Sequence, residues 1–242
     1  VPTTIEIVDI AGLVKGASKG EGLGNKFLAN IRNTNAIIHV LRCFENDNIT
    51  HVDGSIDPVR DKGIIDTELQ LKDLETIENR LAKTQKQAVV GGDKQAKRAV
   101  EILLQYKAVL EQGLSARTVE LEKEDRKLVA DLNLLTDKPV LYVCNVDEKS
   151  AVTGNEHPRA VEAAIADERA EMLIVAAATE ADIAELDEYE ERQMFLEEIG
   201  LKESGVARLI KAAYKLLDLQ TFFTTGADES RAWTFRRGMK AP

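Results

Sequence analysis

Two apolar seams constrain this chain more than any other feature in it. Leu74, Ile77, Leu81, Thr84 and Ala88 follow at steps of 3, 4, 3 and 4, and Ala96, Ala99, Leu103, Tyr106 and Leu110 repeat those steps. An average step of 3.5 lines side chains along one side of an α-helix. Between the seams lies Gly91-Gly92-Asp93, a turn that ends in a residue suited to cap a helix. One such helix alone would leave its apolar line in water, whereas two around a short turn bury each other. The spacing predicts an antiparallel coiled-coil hairpin inside a helical insertion over residues 65–135. Its tip is basic: Arg80, Lys83, Lys86, Lys94, Lys97 and Arg98 stand against Asp93 alone, a net +5 on a chain of net −10. Segregated positive charge suits contact with phosphate. An exposed, lysine-rich helix end is the plainer account of it.

The remainder alternates short apolar runs with helical patterns, which implies a mainly parallel sheet covered by helices. Ile5, Ile7 and Val8 read as a buried strand, and so do residues 36–44, 138–144 and 172–175. Helices are expected over 25–35, with Phe27, Leu28 and Ile31 on one face, and over 118–135, with Glu122, Glu124 and Asp125 facing solvent. Further helices are expected over 159–171 as a surface element, over 181–199, and over 201–218. The last would carry Val206, Leu209, Ile210, Ala213, Leu216 and Leu217 on one side. Residues 219–225 and 230–235 then switch to a strand pattern across Gly-Ala-Asp-Glu, a hairpin.

In such sheets ligands bind beyond the carboxyl ends of the strands. The first run ends at Asp9, with Gly12 three positions on. Asp-x-x-Gly after a buried strand suits γ-phosphate sensing: the Asp reaches Mg²⁺ through water, and the Gly amide faces the phosphate where no side chain fits. Gly16, Gly20, Gly22 and Gly24 give the following loop freedom to move. The spacing GxGxG is not the dinucleotide fingerprint GxGxxG. The third run ends in Asn145-Val146-Asp147-Glu148, where GTP-binding proteins carry Asn-Lys-x-Asp. The fourth ends in Ala176-Ala177-Ala178, where such folds place a small-residue loop beneath the base. Each signal alone is weak, but three in this order point to a P-loop NTPase of the G-domain-like kind. His39 within its strand reads as a packed core histidine, and His157 falls in a polar loop outside this reading.

Composition sets the bounds. With 242 residues, 44% hydrophobic and 31% charged, the chain is an ordinary globular sequence. A net charge of −10 gives no global field toward DNA or an anionic membrane, so neither is an expected partner. No run approaches the length of a membrane span, and no signal-peptide pattern opens the chain. Cys43 and Cys144 both lie on apolar strands and read as core thiols rather than a disulfide or metal pair. All of this suits the cytoplasm.

The stretches DIAGLVKGASKGEGLGNKFLANIR, RCFENDNITHV, the Asn-x-x-Glu box, EADIAELD and LQTFFTTGADESRAWTFRRGMKAP closely resemble the YchF (Obg-like ATPase) family of ribosome-associated P-loop NTPases. The resemblance covers essentially the whole chain. It implies an α/β fold with a mainly parallel sheet, an inserted antiparallel coiled-coil hairpin and the start of a β-grasp TGS domain. The implied divisions are residues 1–64 and 136–218 as two parts of the G-domain, 65–135 as the insertion and 219–242 as the opening of the TGS unit. It implies ATP and Mg²⁺ as cofactors, and as partners the ribosome (large subunit or 70S) and rRNA.

Site residues follow from the same resemblance. Asp9 would serve the metal and Gly12 the γ-phosphate. Asn145, Val146, Glu148, Ala176, Ala177 and Ala178 would hold the base. Leu13 stands where ordinary GTPases carry a water-orienting Gln, and His51 is the residue the family suggests in its place. A solvated loop histidine is the alternative. Glu148 is one methylene longer than the guanine-reading Asp and Val146 replaces the Lys stem, so adenine is expected over guanine, unless Asp147 takes the Asp role. No GxxxxGK[ST] occurs, so the chain reads as truncated at both ends and these residues alone are expected to bind ATP feebly. The alternative function is a non-catalytic ribosome- or RNA-interaction module that uses the coiled-coil tip and the TGS segment.

Overall fold

The computed structural model describes residues 3–10, 23–49, 51, 54–90 and 93–239. Gly12, Leu13, most of the glycine loop and the Gly91-Gly92 turn lie outside the described residues. Chain order runs α1 (Leu23–Arg32), β1 (Ile37–Arg42), α2 (Pro58–Val90), α3 (Lys94–Glu111), α4 (Lys123–Val129), β2 (Val140–Asn145), α5 (Glu156–Ala164) and β3 (Glu171–Val175). It continues through α6 (Ala177–Glu185), α7 (Tyr189–Glu198), α8 (Gly205–Leu216), β4 (Leu219–Thr225) and β5 (Ser230–Arg236). The first three strands form a parallel sheet in the order β1-β2-β3. Arg42 pairs with Asn145, and Asn145 with Val175, so the three carboxyl ends lie side by side. β2 is central and every residue before Asn145 in it is buried, which is why its sequence is a continuous apolar run. Cys43 and Cys144 are free, buried thiols in the cluster beneath the strand ends.

The two seams form the predicted arm. Ile77, Leu81, Thr84 and Ala88 of α2 and Ala96, Ala99, Leu103, Tyr106 and Leu110 of α3 are all buried. Asp93 caps α3, its carboxylate accepting from the Gln95 amide at 2.8 Å. At 1.5 Å per residue the 33-residue α2 is about 50 Å long.

Five sequence expectations change. Residues 5–8 form no strand, and Ile7 and Val8 are 58% and 53% exposed. Among the described residues β1 pairs only with β2, and a run without a ladder partner cannot satisfy its backbone as a strand. The segment instead touches β5 through the Thr3 and Thr234 hydroxyls. The helix expected over 118–135 breaks into α4 and 3₁₀ turns at Ala116–Thr118 and Ala130–Leu132. Val119, Val129, Leu132 and Leu134 all pack on the arm's core, and one straight helix would spread them around its whole circumference. Asp125 accordingly faces Arg98, not solvent. The 159–171 helix starts earlier and ends at Ala164, with Val161 and Ile165 in the core. The 181–199 helix splits at Leu186–Glu188, where Arg192 Nε donates to the Leu186 carbonyl at 2.7 Å. On α8 the apolar face is covered only in part: Ala213 is buried, while Val206 and Ile210 are exposed.

A charged cluster joins the arm to the sheet. Lys62 on α2 is 6% exposed and bonds to Asp66 at 2.6 Å and to Glu168. The Glu168 carboxylate also accepts from Tyr142 OH of β2 at 2.9 Å and from Arg117 at 3.4 Å. Nearby, buried Asp73 of α2 accepts from the Leu135 amide (2.8 Å), the Thr136 amide (2.7 Å) and the Thr136 hydroxyl (2.7 Å). Burial pushes the Glu168 carboxyl up, but Lys62, Tyr142 and Arg117 outweigh it and hold it below its ordinary value. A carboxylate with a depressed folded pKa stabilises the fold above its unfolded value, and that stability is lost as pH falls through the folded value. Glu168→Gln is therefore expected to melt well below wild type at pH 7, with the gap closing below about pH 4.3. A gap in melting temperature that stays constant down to pH 3 would contradict this account of the joint.

Candidate functional site

The site is assembled where β1, β2 and β3 end. Asn145 closes β2, and its Oδ1 accepts from the Ala177 amide at 3.0 Å. Ala177 opens α6, and the preceding residue, Ala176, has no side-chain oxygen with which to cap that helix. The neighbouring strand therefore supplies the cap. The Asn145 Nδ2 donates to no described residue, so the amide is left able to give a hydrogen bond outward. Ala176 is buried, while Ala177 and Ala178 are exposed.

The next residues divide into three roles. Val146 is 3% exposed, its side chain packed in the core with Cys43 and Cys144. Its amide extends the ladder to the Val175 carbonyl at 2.9 Å. Asp147 caps the following 3₁₀ turn, its Oδ1 accepting from the Ser150 amide at 2.9 Å. Glu148 is exposed and its carboxylate makes no hydrogen bond or ion pair with a described residue. Asn145 and Glu148 thus both keep polar side-chain groups that the fold leaves available.

The loop after β1 is clamped by Arg42, whose guanidinium donates to the carbonyls of Phe44 (3.1 Å), Ile49 (3.0 Å) and Asn46 (3.2 Å) and stacks 4.8 Å above the Phe44 ring. This loop leads to His51, whose Nε2 lies 2.9 Å from Asp61 Oδ2 at the start of α2. Asn155 ties the same loop to the next one, donating to the Cys43 carbonyl at 2.8 Å while its Oδ1 caps α5 at the His157 amide. His157 thereby belongs to a helix start. His39 packs against Tyr142 with ring centroids 5.5 Å apart, and burial pushes its pKa down, as suits a neutral core histidine.

The geometry brings Asn145, Glu148 and Ala177 together on one rim, with the His51 loop leaving the adjacent strand. It does not bring Asp9 there by any described contact. Asp9 is exposed, its carboxylate makes no hydrogen bond with a described residue, and its neighbour Ile10 packs with Leu28 and Ile31. Asp61, Arg42 and Asn155 escaped the sequence reading. Asn155 had a signal, since an Asn just before a Glu-His-Pro helix start is a capping pattern; the other two become visible only once the loop is folded.

Removing the tie should loosen the rim. Asn145→Ala is expected to speed hydrogen exchange at the Ala177 amide and to lower stability by about 1 kcal/mol. Asn145→Asp keeps the acceptor and should retain Ala177 protection while losing the outward amide donor. Unchanged Ala177 protection in Asn145→Ala would remove the tie as the organiser of the rim.

Known proteins resemble this chain in sequence and fold. A family model described as 50S ribosome-binding GTPase matches residues 2–90. The ribosome-binding ATPase YchF of Bacillus subtilis (strain 168) is 54% identical over 244 residues, covering 100% of this chain and 66% of the relative. That of Escherichia coli O157:H7 is 51% identical over 242 residues, again 100% of this chain and 66% of the relative. The chain thus spans 66% of the length of both. The solved structure of the Schizosaccharomyces pombe YchF GTPase matches with a TM-score of 0.82 at 32% identity, over 96% of this chain and 63% of that one. The parallel sheet with its helical covering is the P-loop NTPase fold, and with half or more of its residues identical to these bacterial relatives along its full length, the chain belongs to the YchF family.

Proposed function

We propose that this chain carries the base-reading, water-positioning and arm-bearing parts of a ribosome-associated ATPase that prefers adenine to guanine. On this reading residues 1–64 and 136–218 are the two parts of the nucleotide domain, 65–135 is its arm and 219–242 opens a TGS unit. The observation that carries the reading is the Asn145–Ala177 hydrogen bond, because it ties the ends of two adjacent strands into one rim where such sheets bind ligands. The relatives' names support hydrolysis and ribosome binding, but they differ over the base: the bacterial relatives are called ATPases and the yeast structure a GTPase.

The loop chemistry favours adenine. Guanine is read by a carboxylate that accepts from its N1 and N2 hydrogens, and adenine has no donors there. Asp147, the residue that could take that role by a shift of register, already spends its carboxylate on Ser150. Glu148 stands at the position of the guanine-reading Asp but is one methylene longer. Asn145 Nδ2 can donate to N7 of either purine and does not discriminate. Val146 contributes backbone pairing and core packing, not contact with the base.

Magnesium fits this donor set in a limited way. Among the described residues no three ligating side chains cluster, and Asp9 presents one exposed, unengaged carboxylate. Mg²⁺ keeps several waters and takes one or two carboxylates plus substrate phosphates, so Asp9 through water is a sufficient protein contribution. The metal supplies charge neutralisation at the phosphates. His51 holds the attacking water, since Leu13 cannot hydrogen-bond to it. The Gly12 amide faces the γ-phosphate. With no GxxxxGK[ST] in the sequence, these residues alone hold ATP weakly.

Ribosome association rests on the arm. Arg80 and Arg98 are engaged with Asp131 (2.9 Å) and Asp125 (2.6 Å), while Lys83, Lys86, Lys94 and Lys97 are exposed and make no ion pair with a described residue. These lysines would meet rRNA phosphates in the cytoplasm, where ribosomes work. Reversing Lys86, Lys94 and Lys97 to Glu should weaken co-sedimentation with ribosomes by at least about tenfold and flatten its dependence on salt. Unaltered, salt-sensitive association would place the contact elsewhere. For the base, competition binding in the full-length protein should favour ATP over GTP by at least about tenfold, and equal affinities would overturn the adenine reading. Turnover indifferent to His51→Ala and Leu13→Gln would favour the non-catalytic interaction module.

A further inference from the structure

The arm has two flanks, and among the described residues the returning chain covers one of them. On that side Arg80 and Arg98 bind Asp131 and Asp125, and Val129 and Leu132 pack on the arm's core. The other flank follows the buried seams by one residue. On α2 it is Glu75, Glu78, Ala82, Gln85 and Val89, and on α3 it is Lys97, Val100, Leu104, Lys107 and Glu111, each with steps of 3, 4, 3 and 4. One residue turns a helix by about 100°, so on two antiparallel helices both lines come out on the same side of the arm. Between them runs an open groove of about 550 Å³, whose walls include Glu78, Ala82 and Gln85 of α2 and Leu104, Ala108 and Glu111 of α3.

Apolar side chains line this groove without cover. Leu104 is 47% exposed and Val89 84%, and Leu71, one heptad before Glu78, is 47% exposed. Ala82 and Ala108, both exposed, leave a notch beside the Leu104 ridge. A ridge next to a notch on one face is self-complementary, because a two-fold axis sets each ridge in the other copy's notch. Charge fixes the direction. The root half of the flank carries three carboxylates, Glu75, Glu78 and Glu111, against the two ammonium groups that pair with them, Lys72 and Lys107. The tip half carries Lys86, Lys94 and Lys97, which make no ion pair with a described residue. Parallel arms would press the two sets of tip lysines together, whereas antiparallel arms lay each set beside the other copy's root carboxylates. We propose that this flank is the docking surface for a second copy of the chain, arm against arm and antiparallel about Ala82, so that the two hairpins make a four-helix bundle. While the bundle holds, its tip lysines are not free for another anion.

Sedimentation equilibrium of the 242-residue chain at low salt should show an average mass that climbs toward twice that of one chain as concentration rises. Ala82→Arg combined with Ala108→Arg fills the notch with side chains that suit an exposed helix. It should weaken association by at least about tenfold while the dilute chain melts as before. Reversing Lys94 and Lys97 to Glu, or Glu75 and Glu78 to Lys, should each weaken self-association, and an equimolar mixture of the two variants should regain it. Direction is read with a short bis-maleimide, since the native Cys43 and Cys144 are buried. Val89 and Glu75 stand equally far from Ala82 along α2, so Val89→Cys and Glu75→Cys chains should cross-link when mixed, and neither should cross-link to itself. A chain that stays monomeric at roughly 100 µM would overturn the proposal. So would a dimer indifferent to the two arginines, or Val89→Cys chains joined to one another. Should the arginine variant fail to fold, the mixing experiment decides: no recovery in the mixture removes this flank as the docking surface.

Discussion

One carboxylate holds the two halves of this molecule in register. Glu168, in the turn between α5 and β3, takes hydrogen bonds from Lys62 of the arm, from Arg117 in the returning chain and from Tyr142 of the central strand. Lys62 and Arg117 are nearly fully buried, so losing Glu168 would leave cations in a low-dielectric setting, a far larger cost than a lost surface pair. Lys62 also lies 5.2 Å above the Tyr142 ring. Apolar contact between a helix and a sheet tolerates sliding, whereas a charged cluster with fixed donors does not. Asp73 adds a second fixed point one helical stretch further along, drawing Leu135 and Thr136 against α2 just before the chain enters β2. The arm is therefore set at an angle to the sheet by polar bonds at its root, and by apolar packing along its length.

With the root fixed, the strand ends are fixed, and the rim above them is built from helix starts. Asn145 caps α6 from the neighbouring strand, Asp147 caps a 3₁₀ turn, Asn155 caps α5, and Glu180 accepts from the Gly205 and Val206 amides at 2.5 and 3.1 Å to hold the start of α8. Gly205 is needed there, because a Cβ would come within 2.8 Å of the Glu180 carboxylate and 2.9 Å of Val175. Each cap is worth about 1 kcal/mol. On this rim the Asn145 amide and the Glu148 carboxylate stay unengaged by any described residue.

The arm and the central strand were the parts most legible in the sequence. The 3-4-3-4 seams and the unbroken apolar run at 138–144 are consequences of burial alone, and burial leaves a periodic mark. The pattern failed where a run needs a partner the pattern cannot name: Ile5, Ile7 and Val8 have strand chemistry but no ladder among the described residues. It failed again at 118–135, where apolar residues meet a curved surface and the helix breaks to follow it. At the rim, the strand ends before Asn145 and Ala176 were legible because apolar runs announce them, but Ala177 and Ala178, expected as a loop, open α6. Val146 stands at the Lys position of the motif yet packs its side chain inward, since a motif aligned by position says nothing of which way a side chain turns. Asp61 and Arg42 were invisible, since ten residues and a folded loop separate Asp61 from His51, and the Arg42 partners are backbone carbonyls.

The arrangement of α2 draws these features into one object. Its first turn carries Asp61 against His51, the next residue is Lys62 of the root cluster, and about 35 Å of stiff helix separates that turn from the tip lysines Lys83 and Lys86. Arginine and lysine are used differently along the arm. Arg80 of α2 and Arg98 of α3 pin the returning chain through carboxylates whose planar geometry they match, and the tip's lysines, compact and strongly hydrated, stay exposed. A force applied at those lysines meets a coiled coil that resists bending, so it is borne at the root. There the helix is held by Glu168 on one side and reaches His51 through Asp61 on the other. Displacing the arm without disturbing the histidine would require α2 to break between two adjacent residues, Asp61 and Lys62, in the middle of a hydrogen-bonded helical turn.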